Sequence, residues 1–187
     1  MNKILLYIRD FVFQRTLRRT PSVPSVYVDY EHANTVLVLF ESDMLERNTL
    51  IRSIIKQMQS DGKTVAACGF VEKKEVQSAI LPQFRILGLS DIDWFQRPLD
   101  ENISDLLEQH FDLLLDLTTK SVRPLEYLML RLDVSLKVGR TELCGLRFAV
   151  PQEMLQEEEE TEENNLQLAI KMLWKEYYKY LNAIKNK

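Results

Sequence analysis

Glycine is scarce in this chain, with five in 187 residues, and none are clustered. A loop that cradles phosphate needs glycines so that backbone amides can approach the anion. Neither G-x-G-x-x-G nor G-x-x-x-x-G-K-[ST] occurs, so the usual phosphate loops are excluded. Histidine is nearly as rare. His32 and His110 have no cysteine or carboxylate beside them at ligand spacing, which argues against a dedicated zinc site. No G-x-S-x-G turn is present, and neither cysteine has a histidine close by in sequence. Catalytic residues, metal and cofactor are all expected to be none.

Two further absences bound the setting. No window reaches the ~18 uninterrupted apolar residues of a membrane span. The N-terminus starts like a signal peptide, but Arg9 and Asp10 interrupt the apolar run and no small-residue cleavage site follows. With only Cys68 and Cys144, both in apolar runs, buried free thiols are favoured over a disulfide. The expected location is the cytoplasm.

What the chain does have is apolar residues, 45% of the total, against 28% charged, the balance of a soluble globular domain. The net charge of −4 gives no general attraction to nucleic acid, but it is unevenly spread. Lys3, Arg9, Arg15, Arg18 and Arg19 face only Asp10 within residues 1–20. Residues 153–163 hold seven glutamates and no base.

Residues 1–20 read as a basic amphipathic helix, with Ile4, Leu5, Ile8, Phe11, Val12 and Arg15 on one stripe. Such a helix either packs across its own domain with solvated arginines, or docks on anionic lipid or an acidic partner. Arg9, Arg15, Arg18 and Arg19 would then make the contact. Residues 21–25 are a Pro/Ser linker, because prolines deny continued helix pairing. Residues 26–187 follow as a single α/β domain with an acidic run at 153–163 that is too polar to pack and reads as a solvated loop or a frayed helix start.

Within that domain the spacing predicts alternating strands and helices. Val26–Tyr30 alternates like an edge strand, and Thr35–Phe40 is apolar and β-branched like a central one. A helix capped by Ser42 or Asp43 buries Met44, Ile51, Ile54, Ile55 and Met58, ending at Asp61-Gly62. Thr64–Val71 returns as a strand, so one βαβ unit with a right-handed crossover is expected. Val76–Leu81 reads as a short helix, Phe84–Leu89 as a strand, and Asp91–Pro98 as a turn leading into one more. Asp100–His110 is predicted helical. The densest run, Phe111-Asp-Leu-Leu-Leu-Asp-Leu-Thr118, suits a strand buried on both faces of a parallel sheet. A helix then opens at Pro124, strands run through Ser135–Gly139 and Cys144–Val150, and a terminal amphipathic helix occupies about 165–184.

Parallel sheets bind ligands outside the carboxyl ends of their strands. The positions there are Glu41, Ser42 and Asp43, Asp116 through Ser121, and Gly139-Arg140. Asp43, Asp116, Lys120 and Arg140 form the candidate ligand set. A carboxylate can hold a sugar hydroxyl or base, and Lys120 and Arg140 can pair with phosphate. Structural alternatives stand beside these roles: Asp116 capping the next turn and the cations solvated.

In Phe111-Asp-Leu-Leu-Leu-Asp-Leu117, Arg123-Pro-Leu-Glu-Tyr127 and Lys137-Val-Gly-Arg140 the chain resembles a Bacteroidetes family of uncharacterised proteins. The likeness spans most of residues 30–150. More distantly it is similar to the N-terminal half of bacterial heptosyltransferases, which share an aspartate-framed strand, a helix and a strand ending near glycine. That resemblance implies a Rossmann-like half domain of the two-domain glycosyltransferase fold. With the residue pattern above, the expected fold is a three-layer Rossmann-like α/β domain with a mostly parallel sheet, plus the N-terminal and C-terminal amphipathic helices. Heptosyltransferases carry Gly-Asp after their first strand, whereas Ser42-Asp43 stands here, so only Asp43 carries over.

Three functions compete. The leading one is a non-catalytic module that binds a protein partner, held at a complex or the inner membrane by its basic helix. The second is a small ligand-binding protein or glycosyltransferase-like enzyme with its site at the strand ends. The third is an RNA- or ribosome-associated factor using the basic termini, where residues 164–187 carry five lysines against Glu176.

Overall fold

Val36 through Phe40 is a run of five apolar residues, and the chain buries every one of them completely. In the computed structural model, which describes residues 3–20, 28–42, 48–74, 84–147 and 162–183, this run is the core of strand β1, Thr35–Glu41. No solvated face exists on a strand covered by helices on both sides, so alternation of polar and apolar residues is absent. β1 pairs in parallel with β2, Thr64–Phe70, on one side and with β4, His110–Asp116, on the other. β3, Phe84–Leu87, extends the sheet beyond β2. Beyond β4 lie β5, Asp133–Gly139, and the short β6, Leu146–Arg147. The order is β3-β2-β1-β4-β5-β6, and every strand pairing is parallel.

The helices form two layers around this sheet. Val36, Val38 and Phe40 point to the face covered by α2, Thr49–Ser60, and by the terminal helix α5, Glu162–Ala183. α2 contributes Ile51, Ile54 and Met58; α5 contributes Ile170, Leu173, Trp174, Tyr177 and Leu181. Leu37 and Leu39 point the other way, to α3, Ser104–Leu107, and α4, Arg123–Arg131. There Ile103, Leu106, Leu125, Leu128 and Met129 complete the second core. The fold is therefore a three-layer, Rossmann-like α/β sandwich with terminal helices.

α1, Lys3–Arg19, lies outside this sandwich against α4. Its buried anchor is Phe13, whose ring meets Tyr127 edge-on at 5.0 Å, with the Arg123 guanidinium 4.0 Å from its centroid. Arg9 Nε donates to the Trp94 carbonyl at 2.8 Å and Asp10 pairs with Arg123 at 3.0 Å.

Several expectations shift in detail. Residues 28–30 form no strand, and the rest of that expected edge strand lies outside the described residues. So do Asp43, Met44, Val76–Leu81, the linker at 21–25 and most of the acidic run. The cap of α2 is Asn48, whose side chain donates instead to Ser42 Oγ at 3.0 Å. Asp100–His110 is not one helix: a 3₁₀ turn at Asp100–Asn102 and the single turn of α3 precede β4, which already contains His110. Asp93 explains the turn at Asp91–Pro98. Its carboxylate accepts from the amides of Phe95 and Arg97 and pairs with the Arg97 side chain, closing a loop bridged by Ile92 and Pro98. α5 begins at Glu162, within the acidic segment, where carboxylates favour a helix N-terminus. Both cysteines are free and buried.

Candidate functional site

The strand order places a topological switch between β1 and β4. From β1 the chain proceeds outward through β2 and β3; from β4 it proceeds the opposite way. Loops leaving the two central strands therefore diverge, and a crevice opens at their carboxyl ends. Glu41 closes β1 at this point and is 5% exposed. Its Oε1 accepts from the Thr119 amide at 2.9 Å and from the Thr119 hydroxyl. Its Oε2 has no hydrogen-bond partner among the described residues. Lys120 Nζ stands 3.9 Å from that oxygen on a side chain 72% exposed.

A cavity of about 370 Å³ lies over this pair. Glu41 and Ser42 form its floor, Phe70 to Lys73 one wall, and Lys120 to Pro124 the other, with Gln96 at the edge. Gln96 has φ 69°, a left-handed conformation uncommon for a side chain of this size. The α4 wall is braced from behind. Glu126, 7% exposed, accepts from Ser121 Oγ at 2.7 Å and from Arg123 Nη1 at 2.8 Å. Arg123 is thus held by Glu126 and Asp10, while Lys73 and Lys120 are exposed.

Asp116 sits one strand away, fully buried. Oδ1 accepts from the Thr118 amide at 3.1 Å and the Thr118 hydroxyl at 2.7 Å; Oδ2 has no partner among the described residues. Burial pushes this carboxyl up to about 6, against the opposing pull of the Thr118 hydrogen bonds and the Arg140 charge. Gly139 is required beside it, since a Cβ there would lie 2.6 Å from Asp116 Cβ and 2.8 Å from Cys144 Sγ. Tyr177 Oη donates to the Asp116 carbonyl at 3.0 Å and Arg140 Nε to the Thr118 carbonyl at 2.9 Å.

Of the candidate set, then, Lys120 lines the cavity, whereas Asp116 and Arg140 shape the loop from behind and are not among its lining residues. Asp43 lies outside the described residues. Glu41 was among the candidate strand-end positions but not carried into the ligand set, and Lys73 and Arg123 were missing altogether. Glu41 carried a legible signal: a carboxylate ending a wholly apolar strand at the sheet's centre. Lys73 and Arg123 carried none, because only the turns after β2 and before α4 bring them to the same opening. Among the described residues no group of three His, Cys, Asp or Glu side chains could hold a metal ion. No helix among them is long and apolar enough to cross a membrane.

A family model described as a family of unknown function, DUF6913, matches residues 9–184. The chain belongs to that family. The match takes in part of α1 as well as the whole sandwich, so the DUF6913 unit includes most of the N-terminal helix. No curated protein and no solved structure matches this DUF6913 chain. None of these comparisons supports the expected resemblance to a Bacteroidetes family or to heptosyltransferases.

Proposed function

We propose that this chain is a non-catalytic binding module that docks on an acidic partner protein through the outward face of α1. The observation that carries this reading is the exposure of Ile4, Tyr7, Ile8 and Phe11, at 67%, 74%, 39% and 58%. At about 100° per residue these four form one stripe, and Phe13 falls on the opposite side of the helix. One face of α1 is thereby committed to α4 while the other leaves large apolar side chains in water. A contiguous exposed apolar patch of this kind marks an interaction surface. Arg15 and Arg18 continue the stripe toward the helix C-terminus with Arg19 beside them, which suits an acidic rim around an apolar groove. The absence of catalytic motifs supports a binding role. So do the cysteines, whose thiols burial pushes up to about 12 for Cys68 and about 11 for Cys144.

The test is a photo-crosslinking residue at Tyr7 in the native cell, followed by reconstitution of the crosslinked pair from pure components. A defined adduct that Phe11→Asp abolishes supports the reading; an unchanged adduct pattern in that variant removes it. The same three arginines favour a second reading, attachment to an anionic inner-membrane surface of the cytoplasm. Flotation with vesicles of phosphatidylglycerol and phosphatidylcholine separates the two. Binding only to the anionic vesicles, lost in Tyr7→Asp, would select the membrane.

A further inference from the structure

We infer that the cavity at the β1–β4 switch binds a small phosphorylated sugar, up to the size of a nucleoside monophosphate. Two independent features point to a ligand. The first is Oε2 of Glu41, a buried carboxylate oxygen with no hydrogen bond among the described residues, its nearest cation being Lys120 Nζ at 3.9 Å. Buried polar atoms are nearly always paired, and an unpaired one at the floor of a cavity calls for a donor arriving from outside. A sugar hydroxyl is such a donor.

The second feature is the charge around the rim. Lys73, with the exposed Glu72 next to it, on the β2 side and Lys120 on the β4 side flank Glu41, with Arg123 beyond them. Arg123 is already committed to Glu126 and Asp10, and Lys120 Nζ stands 3.9 Å from Glu41 Oε2. Lys73 is therefore the cation on this lining with no ion pair among the described residues, and Lys120 would be shared between Glu41 and an anion. Arg123 and Pro124, in the first turn of the nine-residue α4, form part of the same wall. Carboxylate at the base and cations at the rim match a molecule with hydroxyls at one end and a phosphate at the other. The volume of about 370 Å³ lies near the lower limit of small-molecule pockets, which excludes a dinucleotide. Recognition here uses lysine rather than a glycine loop, which is why the glycine-poor sequence does not announce it.

Titration calorimetry on the purified full chain tests this with ribose phosphate, adenosine monophosphate, ribose and inorganic phosphate. At least one phosphorylated sugar binds, ribose gives no heat, and inorganic phosphate binds at least roughly tenfold more weakly. Lys73→Ala and Lys120→Ala each weaken binding by roughly tenfold, the loss of one charge-assisted hydrogen bond, without changing the melting temperature. Glu41→Gln weakens the phosphorylated sugar while leaving inorganic phosphate unaffected. The inference is overturned if neither phosphorylated compound binds, if inorganic phosphate binds as tightly as they do, or if the Lys73→Ala/Lys120→Ala double variant keeps full affinity.

Discussion

Glu41 and Thr119, 78 residues apart, are joined by two hydrogen bonds to a single carboxylate oxygen. The amide and the hydroxyl of Thr119 both donate to Oε1, tying the end of β1 to the loop after β4. Two neighbouring parallel strands whose loops diverge are thus clamped at the point of divergence. The clamp also fixes the orientation of Glu41, so that its second oxygen is held at the cavity floor.

That clamp has a measurable strength. Glu41→Ala leaves the half-buried Thr119 donors without their acceptor and is expected to cost about 1–3 kcal/mol in urea unfolding. Thr119→Ala removes only the hydroxyl and costs less. In the double variant the losses are expected to couple by about 0.5–3 kcal/mol. Strict additivity would show that the two residues act separately.

Gly69→Ala is expected to destabilise by about 1–3 kcal/mol through overpacking. A Cβ at Gly69 would stand 2.6 Å from both Cε2 and Cζ of Phe40, a ring that is fully buried in the core. Phe40→Leu combined with Gly69→Ala relieves the clash, so the double variant should recover part of the loss. Chemical denaturation of the three proteins decides it.

Asp116 sets a pH dependence whose sign follows from burial. Its carboxyl titrates near 6 in the folded chain against 3.8 as the ordinary value. Below 3.8 both states are protonated and the group is neutral in effect. Between 3.8 and about 6 the folded state keeps a proton the unfolded chain has lost, so stability falls as pH rises. Above about 6 the full penalty, on the order of 3 kcal/mol, is in place. Asp116→Asn is expected to flatten this part of the curve relative to the parent. Parallel slopes across the window would contradict the assignment.

Phe13→Ala tests how α1 is held. Loss of the ring between Tyr127 and Arg123 forfeits about 1.5–3 kcal/mol of burial. Because α1 packs outside the sandwich, its amides are expected to exchange faster while those of β1 and β4 stay protected. Uniform acceleration through the sheet would mean that α1 is part of the global fold rather than an attachment.

The sandwich was legible because its signals are local. Thr35–Phe40 and Phe111–Asp116 are apolar on both sides, and Ile51, Ile54 and Met58 or Leu125, Leu128 and Met129 repeat at helical spacing. Period and composition suffice for such elements. Ser104–Leu107 illustrates the opposite case. The apolar residues Ile103, Leu106 and Leu107 suggested a longer helix over 100–110, but His110 is drawn into the parallel ladder against Asp133, and its ring bonds Asp133 and Ser135. A long-range pairing overrode the local pattern.

The amphipathic reading of α1 was limited for a different reason. Ile4, Ile8 and Phe11 were grouped with Leu5 and Val12 as one stripe, yet the first three face water while Phe13 faces the domain. Hydrophobicity around nearly the whole helix leaves no single direction for periodicity to find. Only the position of α4 decides which side is covered.

By itself the sequence determined the alternation of strands and helices, the buried character of the central strands, and the absence of every glycine-loop or metal motif. All of these follow from residues within a few positions of one another. The tertiary structure alone decided where the site lies. Glu41, Lys73 and Lys120 are separated by tens of residues, and the parallel register of β1, β2 and β4 is what brings them to one opening. The same register sends Asp116 into the core behind it, because burial depth depends on neighbouring strands and not on the strand's own residues.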